Sequence, residues 1–155
     1  MESIKSLYKI GRGPSSSHTM GPFFACQMIK AKYTKVTKIE ITLYNSLALT
    51  GEGHLTIDVI KETLSPIPVN FKTVISLDEH PNLMVFEIYD ENKLINKLNI
   101  ISVGGGDITI NNEKLVARNI YQHSKFSDIK KYCIEKNKIL YEYVKKCEGD
   151  SIDEF

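Results

Sequence analysis

The sequence predicts a mixed α/β (α+β) domain in which one main sheet is flanked by helices. Three observations support this fold class. An apolar helical pattern near the start is followed by an alternating strand pattern, a second helix and a cluster of strands, which is the order expected for a sheet covered by helices. The 155 residues are enough to bury the core of one ordinary domain. The chain contains no internal repeat and no low-complexity segment.

Each predicted element has its own local signal. Pro22 suits the first position of a helix because its missing amide hydrogen would have no partner there. Alternation of apolar and polar residues with β-branched enrichment indicates strands, and Ser127 is the predicted N-cap of the last helix. The predicted helices are 22–33, 56–64 and 127–147, and the predicted strands are 36–44, 69–77, 83–90, 93–103 and 107–111. We expect one domain over 1–147, followed by an acidic linker or truncated end over 148–155.

Charge is unevenly distributed along the chain. Residues 1–38 carry seven Lys or Arg and one acid, whereas the remainder carries thirteen against eighteen, and the whole chain has a net charge of +1. A basic segment attracts anionic ligands, although a solvated surface gives the same pattern. The chain has no Trp, no Lys/Arg run and no basic–aromatic motif, which argues against nucleic-acid binding.

The cysteines indicate neither a disulfide framework nor a metal site. Cys26, Cys133 and Cys147 are far apart and form no CxxC pair. On a single final helix, Cys133 and Cys147 would lie about 21 Å apart along the axis, so we expect no metal ligand in this chain. No apolar run approaches membrane-spanning length. We therefore expect a soluble protein of the reducing cytoplasm without a membrane partner.

The most distinctive segment is "GPSSSHTMGP", residues 13–22, directly before the first predicted helix. A helix start offers amide hydrogens without intrahelical partners and the positive end of the helix dipole. The hydroxyls of Ser15, Ser16 and Ser17 add donors for a carboxylate or phosphate. The alternative is that Ser17 or Thr19 only caps the helix. His18, with an ordinary pKa near neutrality, suits a general base or a second donor to an anion.

Two glycine-containing motifs follow. "GEGH" places His54 in a turn between a strand and a helix, where α/β folds expose ligand-binding groups. "GGG", Gly104 to Gly106, follows a predicted strand and requires either positive φ angles or close backbone approach. It lacks the order of a nucleotide-binding loop. His80 and His123 lie in loop-like sequence and are expected to have surface or turn roles.

Taken in order, "GPSSSHTMGP", "SLALTGEGH" and "SVGGG" resemble the β half of the bacterial iron–sulfur L-serine dehydratases, also called L-serine ammonia-lyases. The resemblance extends more loosely through "HPNLMVFEIYD" and the last helix. It implies the family's β-domain fold, which is similar to the allosteric domain of some D-3-phosphoglycerate dehydrogenases. One departure is "GHLTID", where Ile57 separates Thr56 from Asp58, so the resemblance assigns no role to Asp58.

The resemblance implies a reaction, a cofactor and a partner. In that family an α half holds a four-iron, four-sulfur (4Fe-4S) cluster, in which one iron acts as a Lewis acid on the serine hydroxyl. A base removes the α-proton, and the resulting aminoacrylate hydrolyses to pyruvate and ammonia. The β half closes over the cluster and holds L-serine. This chain alone is therefore expected to be inactive and to need a serine dehydratase α subunit or domain, and a homo-oligomer stays open.

Carried onto this sequence, the resemblance assigns two kinds of site residue. His54 is the first choice for proton transfer, with His18 second. The predicted substrate-binding residues are Ser15, Ser16, Ser17, Thr19, Gly104, Gly105 and Gly106. The alternative function is a regulatory domain that senses serine or another small anion without chemistry. A structural dimerisation domain without ligand affinity is a third interpretation.

Overall fold

The computed structural model describes residues 1–7, 9–11, 15–114 and 119–154. The chain forms two compact units, one built from residues 1–10 and 116–155 and the other from residues 11–115. The sequence analysis predicted one domain over 1–147 and a linker or truncated end over 148–155. These domain limits do not correspond to the division into two units, and they stay a prediction. No helix in the described part of the chain is long and apolar enough to cross a membrane.

The larger unit is built on one mixed sheet. Its strand order is β2-β1-β3-β4-β5-β6, in which β1 and β2 are parallel and the other neighbours are antiparallel. The strands are β1 (Lys38–Tyr44), β2 (Val69–Val74), β3 (Leu83–Asp90), β4 (Lys93–Gly104), β5 (Asp107–Ile110) and β6 (Glu113–Lys114). The observed architecture confirms the predicted mixed α/β fold with one main sheet flanked by helices.

Alternation along the strands decides which sheet face forms the core. In β1, Ile39, Ile41 and Leu43 are fully buried, and Ile41 lies opposite Phe86 of β3 in the antiparallel register. Side chains at alternate positions point to opposite faces, so Glu40 lies on the other face. Its carboxylate accepts hydrogen bonds from the ammonium groups of Lys38 and Lys72, both at 2.9 Å.

Three helices of the larger unit contribute to this core. They are α1 (Gly21–Lys32), α2 (Asn45–Thr50) and α3 (Thr56–Leu64). Each supplies fully buried side chains, for example Ile29 from α1, Leu47 from α2 and Ile60 from α3, to the cluster formed by the strands. A π-helical turn, Ser16–Met20, runs directly into α1. Ser16, Ser17, His18 and Thr19 of the serine motif are therefore part of a helical turn, and Ser15 precedes it.

The smaller unit is mainly helical. Its elements are the 3-10 turn Ile4–Leu7, α4 (Phe126–Glu135), α5 (Leu140–Glu148) and the 3-10 turn Asp150–Ile152. Tyr121, Ile129, Cys133 and Tyr143 form its apolar cluster. The Glu148 carboxylate accepts hydrogen bonds from the Ile4 amide and the Tyr121 hydroxyl, which ties the two ends of the described chain together.

The prediction of a single helix over 127–147 was wrong. The helix ends at Glu135 because Asn137 adopts a left-handed φ of 49°, and the Lys138 amide donates to the Cys133 carbonyl at 2.8 Å, as in a Schellman ending. The N-cap is Lys125 instead of Ser127. The 21 Å separation along one axis does not apply, because Cys147 of α5 packs against the cluster that contains Cys133.

The other predicted elements agree closely with the structure. The bounds of α3 and β3 are those predicted, while β2 is three residues shorter than predicted because its last predicted residues belong to an exposed loop. The sequence analysis missed α2, because it predicted no element between the strand over 36–44 and the helix over 56–64. This short helix carries Ser46, which matters for the site.

Candidate functional site

The serine motif forms the first turns of a continuous helix. Ser15 is the N-cap, with an extended backbone, and its hydroxyl accepts a hydrogen bond from the His18 amide at 3.3 Å. The Ser15 carbonyl accepts from the Thr19 amide at 2.9 Å and from the Thr19 hydroxyl. The cap is thus Ser15 and neither Ser17 nor Thr19. Gly13 and Pro14 of the motif lie outside the described residues.

The imidazole of His18 is held on both of its nitrogens. Nδ1 lies 2.9 Å from the Ser17 hydroxyl and 3.3 Å from the Ser15 hydroxyl. Nε2 lies 2.9 Å from the hydroxyl of Ser46 at the start of α2. The backbone is fixed as well, because the Thr56 hydroxyl donates to the His18 carbonyl at 2.7 Å. Both the position and the orientation of this ring are therefore determined by its neighbours.

His54 lies beside His18 although 36 residues separate them in the sequence. Its amide donates to the Thr50 carbonyl at 2.8 Å, which places it in the turn between α2 and α3. The two ring centroids are 5.1 Å apart and the rings are tilted by 53°. The next residue, Leu55, has a left-handed φ of 61°. That conformation is unusual for a large side chain and is often found at functional sites.

A pocket of about 310 Å³ opens next to these groups, and Ser15, Gly53, His54 and Leu55 line it. The His54 side chain is exposed, whereas His18 is partly buried behind it. A cavity of this size is large enough for a small molecule such as an amino acid. Hydroxyl and imidazole groups beside the pocket can donate hydrogen bonds to an anion or accept a proton from a bound molecule.

Burial lowers the pKa of His18 below its ordinary value of 6.5, and repulsion from His54 lowers it further. Desolvation disfavours the charged imidazolium, and a second imidazolium 5.1 Å away would repel it. His18 is therefore neutral at pH 7. One of its nitrogens then carries a lone pair, which is the state that a general base requires.

This lowered pKa leads to a prediction for stability. The unfolded chain binds a proton at His18 more readily than the folded chain, so the free energy of unfolding should fall as the pH drops below about 6.5 and level off above it. His18→Gln should remove this contribution. We expect urea unfolding between about pH 5 and pH 8 to show a smaller loss of stability at low pH for the variant. An identical pH dependence in both proteins would contradict the assigned shift.

The start of α1 packs against strand β4 without space between them. A Cβ atom at Gly21 would lie 2.2 Å from the Ser102 Oγ and 2.8 Å from the Ser102 Cβ. Ser102 is fully buried, and its hydroxyl has no hydrogen-bond partner within the described residues. Glycine at position 21 therefore permits the close approach of the helix that carries His18 to the strand that leads to Gly104.

The three glycines at the end of β4 form the turn into β5. Their φ angles are +97° at Gly104, +60° at Gly105 and +78° at Gly106. A Cβ at Gly104 or Gly105 would meet no atom within 4 Å. Left-handed backbone, and not close packing, is thus the reason for glycine at these two positions. None of the three glycines is among the described pocket-lining residues, so their contact with a substrate stays a prediction.

The structure brings together the residues that the sequence singled out from two separate motifs. Ser15, Ser17 and His18 converge with His54, and Ser16 lies in the same helical turn. Thr19 differs, because it is fully buried and its hydroxyl donates to the Ser15 carbonyl, so its position favours support of the cap. Sequence analysis missed Ser46 and Thr56. The Asn-Ser pair ahead of "LALT" was an available signal, since both residue types favour helix starts.

The cysteines of this chain do not fit an iron–sulfur cluster. Cys26 is fully buried in the core of the larger unit, and burial raises the pKa of its thiol, which disfavours the thiolate that binds iron. Cys133 and Cys147 belong to the smaller unit. Among the described residues, no group of three His, Cys, Asp or Glu side chains is placed to hold a metal ion.

The fold and the site define a mixed α/β domain with a hydroxyl–imidazole cluster at a helix start. A family model described as "Serine dehydratase beta chain" matches residues 3–67, the segment that contains both histidines. Over this segment the chain is similar to serine dehydratase beta chains, which confirms the resemblance predicted from the motifs. The matched segment includes the serine motif, α2 and α3.

Individual relatives agree with the family match. An L-serine dehydratase of Helicobacter pylori is 47% identical over 72 residues, covering 44% of this chain and 16% of the relative. An L-serine dehydratase of Haemophilus influenzae is 29% identical over 189 aligned residues, covering 90% of this chain and 42% of the relative. L-serine dehydratase 1 of Escherichia coli is 42% identical over 62 residues. The chain thus spans less than half the length of these relatives.

Proposed function

We propose that this chain is the β half of an L-serine dehydratase, a lyase that converts L-serine to pyruvate and ammonia. The observation that carries the proposal is the cluster of Ser15, Ser17, His18 and His54 beside a pocket of about 310 Å³. It combines anion donors with proton acceptors, which elimination of water from an amino acid requires. The names of the relatives support L-serine as the substrate.

The serine motif binds the substrate carboxylate in this proposal. The first amide hydrogens of a helix have no acceptor within the helix. They form the positive end of the helix dipole, which attracts an anion. Ser15, Ser16 and Ser17 are the first residues at this helix start, so their hydroxyls add further donors there. Thr19 supports the Ser15 carbonyl. Ser102 packs against Gly21 at the start of α1. The turn formed by Gly104, Gly105 and Gly106 follows Ser102 in the chain, so we place this turn at the margin of the site.

The two histidines transfer the proton. His54 is the first choice because its exposed side chain lines the pocket. His18 is the second, since it is neutral at pH 7 and lies behind the serine motif. Removal of the α-proton and departure of the β-hydroxyl group as water give aminoacrylate. Addition of water to its imine tautomer then releases ammonia and leaves pyruvate, so that the atoms of serine are accounted for.

The 4Fe-4S cluster belongs to a separate α half in this proposal. The cysteines of this chain do not fit the cluster, so its ligands come from the partner. This chain alone is therefore expected to have no turnover. As a separate part of the proposal, the complete enzyme is expected in the cytoplasm. The histidine pair and the pocket remain this chain's contribution.

The decisive experiment measures serine-dependent pyruvate formation under anaerobic conditions with iron and sulfide. This chain is assayed alone, with a cluster-bearing α half, and in a mixture containing a His18→Ala variant as control. Turnover only in the wild-type mixture supports the proposal. Serine binding by calorimetry without turnover in any mixture would overturn it and favour a serine-sensing regulatory domain.

A kinetic prediction separates the serine residues. Ser16→Ala should raise KM for serine with little change in kcat, because carboxylate binding is shared by the ground and transition states. Ser17→Ala should also lower kcat, because the Ser17 hydroxyl contacts Nδ1 of His18 at 2.9 Å. Steady-state kinetics of the two variants in the reconstituted enzyme tests the difference. Unchanged KM in Ser16→Ala would mean that the Ser16 hydroxyl does not bind the carboxylate.

A further inference from the structure

We infer that Ser46 is a positioning residue whose hydroxyl oxygen accepts a hydrogen bond from Nε2–H of His18 and so leaves Nδ1 as the proton-accepting atom on the side of the serine motif. The catalytic part of this inference rests on the proposed function. The positioning part rests on geometry within the larger unit and can be tested on this chain alone. Ser46 is the first residue of the motif "SLALTGEGH", but the sequence analysis assigned it no role.

The contacts around Nδ1 identify it as an acceptor. A neutral imidazole has one nitrogen that donates and one that accepts. The Ser15 hydroxyl oxygen already accepts from the His18 amide, so its hydrogen is available to point at Nδ1, 3.3 Å away. The Ser17 hydroxyl approaches the same nitrogen at 2.9 Å. With Nδ1 as the acceptor, chiefly of the closer Ser17 hydroxyl, the ring hydrogen lies on Nε2 and donates to the Ser46 hydroxyl oxygen at 2.9 Å.

Ser46 is itself firmly held. Its amide donates to the Pro81 carbonyl at 2.9 Å, and its carbonyl accepts from the Thr50 hydroxyl at 2.7 Å. The preceding Asn45 has a left-handed φ of 45°, and its side-chain amide donates to the carbonyls of Ser76 and Glu79 at 2.8 and 2.9 Å. The start of α2 is therefore attached to the loop before β3. Because α2 is attached in this way, the Ser46 hydroxyl has a fixed position, and its contact with Nε2 fixes the orientation of the His18 ring.

The arrangement explains how His18 can become available when the substrate binds. A carboxylate at the helix start is a stronger acceptor than an imidazole nitrogen, so it takes over the hydroxyl hydrogens of Ser15 and Ser17. The Nδ1 lone pair is then free beside the bound molecule. Ser46 still holds the Nε2 hydrogen, and the ring keeps its orientation after Nδ1 accepts a proton. A neutral hydroxyl at Nε2, unlike a carboxylate, does not favour the imidazolium before that step.

Nuclear magnetic resonance of the chain labelled with ¹⁵N-histidine tests the positioning role above pH 7. In the wild type, His18 should show a protonated Nε2 and an unprotonated Nδ1, with a ring proton protected from exchange. Ser46→Ala should speed exchange of that proton about tenfold, the effect of losing one hydrogen bond. Ser46→Thr, which keeps the hydroxyl, should restore the protection. A His18→Gln sample assigns the signals.

Three results would overturn the inference. The first is a wild-type His18 with the hydrogen on Nδ1, which needs no variant to fold. The second is unchanged exchange in Ser46→Ala. The third is an equal effect from Thr63→Ala, a matched control that removes a hydroxyl bonded to a helix carbonyl in α3 and touches neither Ser46 nor the His18 ring. That result would attribute the change to a general loosening of the larger unit.

Kinetics in the reconstituted enzyme tests the catalytic part. Ser46→Ala should lower kcat about tenfold or more, with KM within about twofold, because misorientation of a base costs part of the roughly 10²- to 10⁴-fold that proton transfer contributes. Ser46→Thr should recover most of kcat. Unchanged kcat in Ser46→Ala would overturn the catalytic role. Lack of turnover in the wild-type mixture would instead count against the proposed function, while the magnetic resonance result would still decide the positioning role.

Discussion

Replacing His54 with Ala should abolish pyruvate formation in the reconstituted enzyme while leaving the fold intact. His54 lines the pocket and contacts the His18 ring, and proton transfer by a positioned side chain is worth about 10²- to 10⁴-fold in rate. Its side chain is exposed, so the substitution creates no cavity in the core. The measurement is kcat for serine, together with thermal unfolding followed by circular dichroism.

His80 offers the matched control. It is also an exposed histidine in the larger unit, and its Nδ1 accepts a hydrogen bond from the Asn82 amide at 3.0 Å within the same loop. His80→Asn keeps an acceptor for that amide and should retain turnover. Near-normal turnover in His54→Ala would remove His54 from the proton-transfer role and leave His18 as the remaining candidate.

Gly21→Ala should destabilise the larger unit, although Gly to Ala within a helix ordinarily stabilises. The helix-propensity gain is at most about 1 kcal/mol. The new Cβ would lie 2.2 Å from the Ser102 Oγ, in a region where both residues are buried. Overpacking of this kind costs about 1–3 kcal/mol. Urea unfolding should therefore show a lower free energy of unfolding, and the displaced helix start should also weaken serine binding.

Gly53→Ala is the control for Gly21→Ala in the unfolding experiment. Among the described residues, the one atom within 4 Å of a Cβ at Gly53 would be the Thr50 carbonyl oxygen at 3.9 Å, so the stability should change little. A double variant adds a stricter test. Ser102→Gly removes both close atoms, and Gly21→Ala should then cost less in that background than alone. A stabilised Gly21→Ala protein would show that α1 and β4 can separate without cost.

The secondary structure was predictable where a local pattern determined it. The strand over Leu83–Asp90 and the helix over Thr56–Leu64 have the predicted limits because their periodicity and breakers are local. Prediction failed where a single backbone conformation decided the outcome. Asn137 in the left-handed region divides the last helix, and the run from Asn45 forms a helix attached to the loop before β3.

Most residues of the candidate site were predictable from the sequence, but their contacts with one another were not. The serines, His18 and His54 belong to two motifs whose residue types signal chemistry. Ser46 carries a weaker signal, because the Asn45-Ser46 pair favours a helix start but does not indicate a contact with a histidine. Its contact with Nε2 of His18 exists only because α2 and the helix start meet in the folded unit.

The sequence by itself determined the mixed α/β class, most of the strands and the serine dehydratase resemblance, since alternation, helix starts and long motifs are properties of neighbouring residues. The tertiary structure decided which nitrogen of His18 each hydroxyl meets, how near His54 comes, and why residue 21 is glycine. These features depend on atoms from segments 28 to 81 residues apart, as in the pairs His18–Ser46, His18–His54 and Gly21–Ser102. Only packing of the helices on the sheet brings such atoms within hydrogen-bond or van der Waals distance.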